Sequence, residues 1–270
     1  MGSGEPVVLL HGILGSEHMW HAVAPLLASD YDVIAPTALG HNGGPPATAA
    51  ERPTRFHHVV ETAERQLDEL SLQRAHLVGN SMGGWMALEL ALRGRALSVC
   101  ALSPAGMWSP QPGASDASSS RGPLRRSLRM VRATHWALPL LYYSRRIRQF
   151  ALRGAAEHGA AVPRQEALRL THDMLACTVA DDLLAGDDHF APVRTLPCPV
   201  TVAWSEHDKI FPEHKLGSAA RERLPGARYL VLPGVGHVPM LDNPQLVAAT
   251  IRTAAAQAGA PGAAAAHSTP

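Results

Sequence analysis

At 270 residues, 46% of them hydrophobic, the chain is long enough and apolar enough for one large α/β domain. A formal net charge of +1 gives no reason to expect a nucleic acid partner. Three cysteines without paired spacing (Cys100, Cys177 and Cys198) predict reduced thiols rather than disulfides or a metal site. Neither a signal-peptide pattern nor an apolar run of about 18 residues is visible, so we expect a cytoplasmic protein without a membrane partner.

The N-terminal part of the chain alternates between short apolar runs, typical of buried parallel strands, and segments with helical apolar periodicity. This alternation indicates a parallel sheet with right-handed crossovers, whose ligand sites lie at the carboxyl ends of the strands. The predicted strands are residues 7–10, 31–35, 75–78 and 97–102, and the predicted helices between them are residues 17–28, 54–70 and 82–93.

The alternation then stops, and residues 105–195 are predicted to form a helical insertion lying over the sheet edge. The insertion is rich in arginine, which a solvated helix face explains most simply. The alternative is a basic rim that attracts a carboxylate-bearing substrate. A Ser/Gly/Pro-rich hinge is expected at 111–122, followed by helices near 124–134, 137–152, 164–179 and 180–184. The arginines are Arg121, Arg125, Arg126, Arg129, Arg132, Arg145, Arg146, Arg148 and Arg153.

The strand and helix alternation resumes near the C-terminus. Strands are predicted at 200–204 and 227–232, with a helix at 212–224 between them and a last helix at 243–257. Residues 1–104 and 196–257 are therefore expected to form one α/β core. Residues 258–270 are rich in Ala, Gly and Pro without apolar periodicity, so this tail is expected to be disordered.

One stretch has the pattern of a nucleophilic serine. Gly79-Asn80-Ser81-Met82-Gly83 lies between a predicted strand and a predicted helix, which is the context of a nucleophile elbow. The glycines let the strand and the helix approach each other closely. The pentapeptide alone is a weak signal, because Gly and Ser are common in turns.

A serine hydroxyl needs a base and a group that orients the base. His237 follows the last predicted strand in a glycine loop, and Asp208 follows the strand before it, so both share the sheet edge of Ser81. This chain order, Ser then Asp then His, is the one expected for such a sheet. Asp208 is preferred because it lies in the turn before a helix. The competing acids are Glu206, Asp181, Asp182, Asp187 and Asp188.

The negative charge that develops on a substrate oxygen would be stabilised by backbone N–H groups. Met82, directly after the serine, should provide one donor, and Ile13 in the loop after the first strand should provide the other. Gly12 and Gly15 would let that loop approach Ser81. We expect His11 to anchor the loop.

Taken together, these motifs resemble the α/β-hydrolase superfamily over about residues 6–102 and 198–257. The resemblance implies an α/β-hydrolase fold with Ser81 as nucleophile, His237 as base and Asp208 as its orienting acid. It also implies that the insertion is the family's cap, which shapes the substrate pocket. Serine at position 81 is unlike the dehalogenase and epoxide-hydrolase branches, which carry aspartate there.

Two features depart from the family pattern. His11 lies only ten residues from the first residue, so the N-terminal edge of the sheet is expected to be shortened. The stretch from Thr37 to His41 stands where the family often has Asp-x-x-Gly. Neither departure removes a candidate catalytic group.

The resemblance implies hydrolysis of an ester, lactone or thioester of a small to medium organic molecule through an acyl-enzyme on Ser81. Carbon–carbon bond hydrolysis of meta-cleavage-type dienoates is an alternative, because the stretch around Ser81 resembles those hydrolases. The segment Ile13-Leu14-Gly15-Ser16 differs from the Gly-Pro-Gly pattern frequent in that branch. An acyltransferase, a non-hydrolytic cyclase and a ligand receptor on the same scaffold are further alternatives.

No metal cluster, phosphate loop or dinucleotide fingerprint is present in the sequence, so we expect a small-molecule substrate and no cofactor. Each candidate for substrate contact is also compatible with a purely structural role. These candidates are His11, Asn80, Trp85, Trp108 and Trp136.

Overall fold

The structure, a computed structural model, describes residues 1–108 and 115–259, the side chains of 115–121 and of 259 excepted. Residues 109–114, which include the start of the predicted hinge, and residues 260–270 of the predicted disordered tail lie outside the described residues. The first two residues of that tail, 258 and 259, belong to a 3₁₀ turn that spans Ala256–Gly259.

The described residues form a six-stranded sheet in which every neighbouring pair is parallel. The spatial order of the strands is β2-β1-β3-β4-β5-β6. One strand, β2, lies outside β1, so the N-terminal edge is short, as the sequence predicts. The strands are β1 (Glu5–Leu10), β2 (Tyr31–Ile34), β3 (Ala75–Asn80), β4 (Ala96–Leu102), β5 (Val200–Ser205) and β6 (Arg228–Leu232).

Helices cover both faces of the sheet, which explains why the central strands read as continuous apolar runs. Alternate residues of β1 enter different cores: Val8 packs on one face of the sheet and Val7 on the other. The helices are α1 (Ala24–Leu27), α2 (Phe56–Glu69), α3 (Met82–Leu92), α4 (Ser115–Thr134), α5 (Leu138–Leu141), α6 (Arg145–Leu152), α7 (Arg164–Ala176), α8 (Ala180–Ala185), α9 (Glu213–Arg223), α10 (Pro239–Asp242) and α11 (Pro244–Ala255).

Helices α4 to α8 interrupt the strand alternation between β4 and β5, and we refer to residues 115–185 as the helical insertion. Two apolar clusters hold it together. One joins Leu128 and Val179 to Leu14 of the loop after β1, and the other contains Leu138, Tyr142 and Leu152. Among the helices in the described ranges, none combines the length and the apolarity that crossing a bilayer requires.

Three predicted elements differ from the structure. The predicted helix at 17–28 is a 3₁₀ turn followed by α1, because Pro25 has no N–H to donate to a continuous helix. The hinge prediction is wrong for residues 115–122, which are helical in α4. The predicted helix at 137–152 is broken between α5 and α6, and the side chain of Arg148 bonds the carbonyls at the break.

Arg148 is a buried cation without a carboxylate partner among the described residues. Its guanidinium donates hydrogen bonds to the carbonyl oxygens of Tyr142, Tyr143, Ala160 and Val162. These bonds join the break between α5 and α6 to the segment before α7. The guanidinium therefore supplies hydrogen-bond donors to backbone carbonyls that have no partner within a helix or a strand.

We expect Arg148→Met to lower the free energy of unfolding by about 3 kcal/mol, because four carbonyls lose a charged donor and two of these hydrogen bonds are buried. Urea titration followed by circular dichroism measures this change. Arg146→Met is the matched control, since Arg146 is exposed, and it should stay within about 0.5 kcal/mol of the wild type. Equal effects of the two substitutions would contradict the structural role of Arg148.

Candidate active site

Ser81 occupies the sharp turn between β3 and α3 with φ +57° and ψ −116°. A non-glycine residue rarely adopts such a positive φ, so the surrounding backbone must hold it there. Its N–H donates to the carbonyl of Leu102 at 2.9 Å, and its carbonyl accepts from Ala105 at 3.0 Å. A Cβ at Gly79 would overlap the backbone of Gly83, which explains the need for glycine in this turn.

His237 and Asp208 lie side by side in the loops after β6 and β5. The Nδ1–H of His237 donates to Oδ2 of Asp208 at 2.7 Å. The other oxygen of Asp208, Oδ1, accepts from the backbone N–H groups of Ile210 at 2.9 Å and Phe211 at 2.7 Å. The carboxylate is therefore held in place, and it leaves Nε2 of His237 as the nitrogen that can accept a proton.

The acids that competed with Asp208 in the sequence have other partners. The carboxylate of Glu206 accepts from the N–H of Gly234 at 2.8 Å. The remaining acids form ion pairs with arginines: Asp181 with Arg132, Asp182 with Arg52, and both Asp187 and Asp188 with Arg55.

Ile13 belongs to a turn closed by a hydrogen bond from the N–H of Gly15 to the carbonyl of Gly12. A Cβ built on Gly12 would lie 3.3 Å from the Cβ of Ser81, so this turn packs against the serine. Met82 is the first residue of α3, and its N–H therefore has no acceptor within the helix. The structure thus places both residues, Ile13 and Met82, beside Ser81.

His11 is fully buried and anchors the loop after β1. Its Nδ1–H donates to the carbonyl of Gly12 at 2.8 Å, and its Nε2 accepts from the N–H of Ala38 at 3.0 Å. Burial lowers the pKa of His11 to about 4, so the ring is neutral at physiological pH. His11 lies outside the cavity lining, in contrast to the substrate contact considered from the sequence.

Asn80 is also buried and ties two parts of the site together. Its Nδ2 donates to the carbonyl of His237 at 2.9 Å and to that of Leu102 at 3.2 Å. The end of β3 is thereby connected directly to the loop that carries His237. Asn80 also borders the larger of the two cavities beside Ser81.

Two apolar cavities meet at Ser81. The larger has a volume of about 160 Å³ and also borders His237, and the smaller has a volume of about 60 Å³. Ile13, Ser81 and Leu124 line both. Apolar residues of the larger cavity include Leu152, Leu170, Met174, Ile210 and Leu241. Those of the smaller include Phe56, Trp85, Trp108, Leu183 and Phe211.

The predicted aromatic candidates separate into two groups. Trp85 and Trp108 line the smaller cavity, where Trp85 stacks on Phe56 with ring centroids 3.6 Å apart. Trp136 is on the surface of the helical insertion and borders neither cavity. No lysine or arginine occurs among the described residues that line the two cavities, so none of the described arginines of the insertion forms a basic rim there.

Two acids that the sequence analysis passed over link the helical insertion to the site. Asp173 of α7 is buried and accepts from Ser16 Oγ at 2.6 Å, directly after the turn that contains Ile13. Asp242 accepts from the N–H of Gly236 at 2.8 Å and from that of Glu157 at 2.9 Å. An isolated acid beside Leu170 and Met174 on an amphipathic helix is the signal that could have revealed Asp173.

Comparisons with known proteins agree with this fold. A family model described as the alpha/beta hydrolase family matches residues 7–250. Epoxide hydrolase EphH of Mycobacterium tuberculosis is 32% identical over 194 residues, which cover 69% of this chain and 88% of that protein. A thermophilic esterase from Thermogutta terrifontis superposes with a TM-score of 0.68 at 22% identity, covering 96% of this chain and 92% of its own.

A 2-hydroxy-6-oxo-6-phenylhexa-2,4-dienoate hydrolase from Rhodococcus superposes with a TM-score of 0.68 at 20% identity, covering 93% of this chain and 91% of its own. At such identities the solved structures establish a shared fold. The class is thus an α/β protein with a parallel sheet and a helical insertion after β4. More particularly, the chain belongs to the alpha/beta hydrolase family, since the family model matches most of its length.

The buried imidazole of His11 makes stability depend on pH. The unfolded state takes up a proton on His11 near pH 6.5, whereas the folded state does so only near pH 4. The associated stability is complete above pH 6.5 and is lost progressively until the pH reaches about 4. We expect a loss of about 3 kcal/mol over this window, at about 1.36 kcal/mol per pKa unit.

Chemical denaturation at pH 7, 6, 5 and 4.5 measures this dependence. His11→Asn should reduce the slope of unfolding free energy against pH, whatever its effect at pH 7. His135→Gln removes an exposed histidine and serves as the control, with an unchanged slope. A slope that is the same with and without His11 would show that its burial does not govern the acid sensitivity.

Proposed function

We propose that this protein is a serine hydrolase that cleaves esters through an acyl-enzyme on Ser81. One observation carries the proposal: His237 is hydrogen-bonded to Asp208 through Nδ1 and borders the same cavity as Ser81. This arrangement leaves Nε2 of His237 as a base for the serine hydroxyl. The family membership and the likeness to an esterase support the same class of reaction.

In the proposed mechanism, Nε2 of His237 takes the proton of Ser81 as Oγ attacks the ester carbonyl carbon. The carboxylate of Asp208 stabilises the imidazolium that forms. The carbonyl oxygen becomes an oxyanion, which accepts hydrogen bonds from the N–H groups of Ile13 and Met82. Collapse of this intermediate expels the alcohol, which takes the proton from His237. A water molecule then attacks the acyl-enzyme by the same steps, and releases the acid.

The cavities favour a substrate with apolar groups on both sides of the scissile bond. A cavity of about 150 Å³ is large enough for one benzene ring, so the larger cavity suits a phenyl group or a short alkyl chain. The smaller cavity is walled by Trp85 and Trp108 and suits a shorter group. The helical insertion supplies Leu124 to both cavities, as a cap that shapes the pocket would. Lactones and thioesters of similar size would follow the same chemistry.

Two other reactions of the family fit this chain less well. Attack of a serine oxygen on an epoxide would produce an ether, which water does not hydrolyse under mild conditions, whereas an aspartate nucleophile produces an ester. Ser81 therefore disfavours epoxide hydrolysis despite the relative with that name. A dienoate substrate carries a carboxylate, and the described lining residues of the cavities provide no cation to pair with it.

We expect a fluorophosphonate probe to label the wild-type protein on Ser81 at pH 8 and to leave Ser81→Ala unlabelled, as intact-protein mass spectrometry would record. Ser103→Ala is the matched control, because Ser103 also follows a strand with a positive φ, +42°. This control should label like the wild type. Labelling that persists in Ser81→Ala would refute the assignment of the nucleophile, and a wild-type protein that stays unlabelled at pH 8 would refute a serine hydrolase.

Asp208→Asn should lower kcat for ester hydrolysis by about 10³- to 10⁴-fold through loss of the productive tautomer of His237.

A panel of p-nitrophenyl esters from acetate to dodecanoate tests the substrate size. We expect kcat/KM to peak near butyrate to hexanoate and to fall at least about tenfold for dodecanoate, which exceeds the larger cavity. Met174→Trp, in the larger cavity, should move the peak to shorter chains. Leu183→Trp, in the smaller cavity, should leave it in place.

The same panel should include a 2-hydroxy-6-oxohexa-2,4-dienoate. Turnover of the dienoate with a kcat/KM above that of every ester would replace ester hydrolysis with carbon–carbon bond hydrolysis. Acyl transfer to an added alcohol in preference to water would instead identify a transferase.

A further inference from the structure

Four large apolar side chains project into solvent from the helical insertion. Trp136 is 78% exposed, Leu140 76%, Tyr143 69% and Phe150 58%. Single exposed apolar residues are common on protein surfaces, but a group of large ones within fifteen positions is not. Neither cavity contacts these side chains, so they have no part in the proposed hydrolysis.

Their spacing along the helix explains why these residues point outward. Trp136, Leu140 and Tyr143 are spaced i, i+4 and i+7 along α5 and its flanking turns, so they share one face. Leu138 and Tyr142 lie on the other side and are buried in the apolar cluster of the insertion. The short helix therefore has one apolar face buried in the insertion and a second apolar face left in solvent.

Arginines accompany this face. Residues 121–165 contain ten arginines, no lysine and a single acid, Glu157. Some have internal partners: Arg148 bonds backbone carbonyls and Arg132 pairs with Asp181. The remaining exposed ones pair with no carboxylate in the described part of the chain, and they are Arg126, Arg129, Arg145, Arg146 and Arg153.

The aromatic and cationic side chains are intermixed. The guanidinium of Arg153 lies 3.9 Å from the centre of the Phe150 ring, and that of Arg164 lies 4.1 Å from the centre of the Tyr143 ring. Arg146, Phe150 and Arg153 follow one another on one face of α6 at the same i, i+4, i+7 spacing. Apolar rings with guanidinium groups around them match the boundary between lipid headgroups and acyl chains.

We propose that the exposed side chains of α5 and its flanking turns (Trp136, Leu140 and Tyr143) and those of α6 and its C-terminal end (Phe150 with Arg145, Arg146 and Arg153) form one surface, which docks on an anionic phospholipid bilayer. The apolar side chains enter the headgroup region, and the arginines pair with the lipid phosphates. The sequence analysis expected no membrane partner because no segment spans a bilayer, but contact at the surface needs no spanning segment.

Charge selects this partner over two others. A second copy of the chain would bring two strongly basic faces together, which costs free energy. A single-stranded nucleic acid would satisfy the arginines and stack on the rings, but it would leave Leu140 in water. The anionic bilayer pairs with both the cationic and the aliphatic side chains.

Co-sedimentation with large unilamellar vesicles tests the proposal. The full-length protein should bind vesicles of equal parts phosphatidylglycerol and phosphatidylcholine, and should bind pure phosphatidylcholine vesicles at least about tenfold less. Leu140→Ser/Phe150→Ser should lower the partition coefficient at least about tenfold, because less apolar surface enters the bilayer. Arg145→Gln/Arg146→Gln should lower it about tenfold or more at low salt, since each arginine near the surface contributes about fivefold.

Matched controls keep the outcome specific. Leu70→Ser/Leu92→Ser removes exposed apolar residues elsewhere, and Arg194→Gln/Arg228→Gln removes the same charge elsewhere, and both should bind like the wild type. Ser81→Ala should also bind like the wild type, so that failure of docking and failure of the proposed chemistry are distinguishable. Retained p-nitrophenyl butyrate hydrolysis would show that the two insertion variants are folded.

Tryptophan fluorescence supplies a second readout. Anionic vesicles should shift the emission of the wild type to shorter wavelength, and Trp136→Phe should lose most of that shift. No binding to anionic vesicles, equal binding by the insertion variants, or binding to single-stranded RNA in place of vesicles would each overturn the proposal.

Discussion

The backbone of Ser81 is the constraint on which the rest of this site depends. A positive φ at a non-glycine residue costs of order 1–3 kcal/mol and persists only where the surroundings determine it. Here hydrogen bonds to β4 and to the segment after it fix both sides of the serine, while glycines let β3, α3 and β1 meet at one point. The strain directs the hydroxyl away from the packed core and into the junction of two cavities.

The parallel sheet brings the other groups to that junction. Because every strand runs in the same direction, the loops after β1, β3, β5 and β6 emerge at one edge, and they carry Ile13, Ser81, Asp208 and His237. Hydrogen bonds between these loops then determine the finer geometry. Asn80 joins the loop of Ser81 to the loop of His237, and His11 joins the loop of Ile13 to the segment after β2.

The helical insertion is bonded into this edge rather than resting on it. Asp173 accepts from Ser16, next to the turn of Ile13, and Asp242 holds Gly236, next to His237, together with Glu157 of the insertion. Asp173 is buried, and a buried carboxylate that loses one of its donors keeps the cost of desolvation, so its contact with Ser16 resists separation of the insertion from the sheet. The same hydrogen bonds therefore hold the cavity walls that the insertion supplies and the loops that carry Ile13 and His237.

The sheet, its order of helices and the residues gathered at its edge could be predicted from the sequence. Apolar runs, glycine turns and the position of Asp208 before Ile210 are local patterns that report on the backbone around them. The partners of Asp173 and Asn80 could not be assigned in the same way, because they depend on which distant groups face these side chains. Trp136 was considered for the pocket on the basis of its residue type alone, and its helix phase places it on the surface instead.

The position of each arginine around its helix also explains why the number of arginines in the insertion does not reveal which are buried and which are exposed. On α6, Arg148 and Leu152 are four residues apart and share the buried face, so the guanidinium of Arg148 must bond backbone carbonyls to be tolerated there. Arg146 and Arg153 lie on the other face with Phe150, where water solvates the charge. Composition describes all of them as one basic segment, yet a rotation of about 100° per residue divides them between the interior of the insertion and its exterior surface. The same helix thus lines the larger cavity with Leu152 and presents cations and an aromatic ring to the outside.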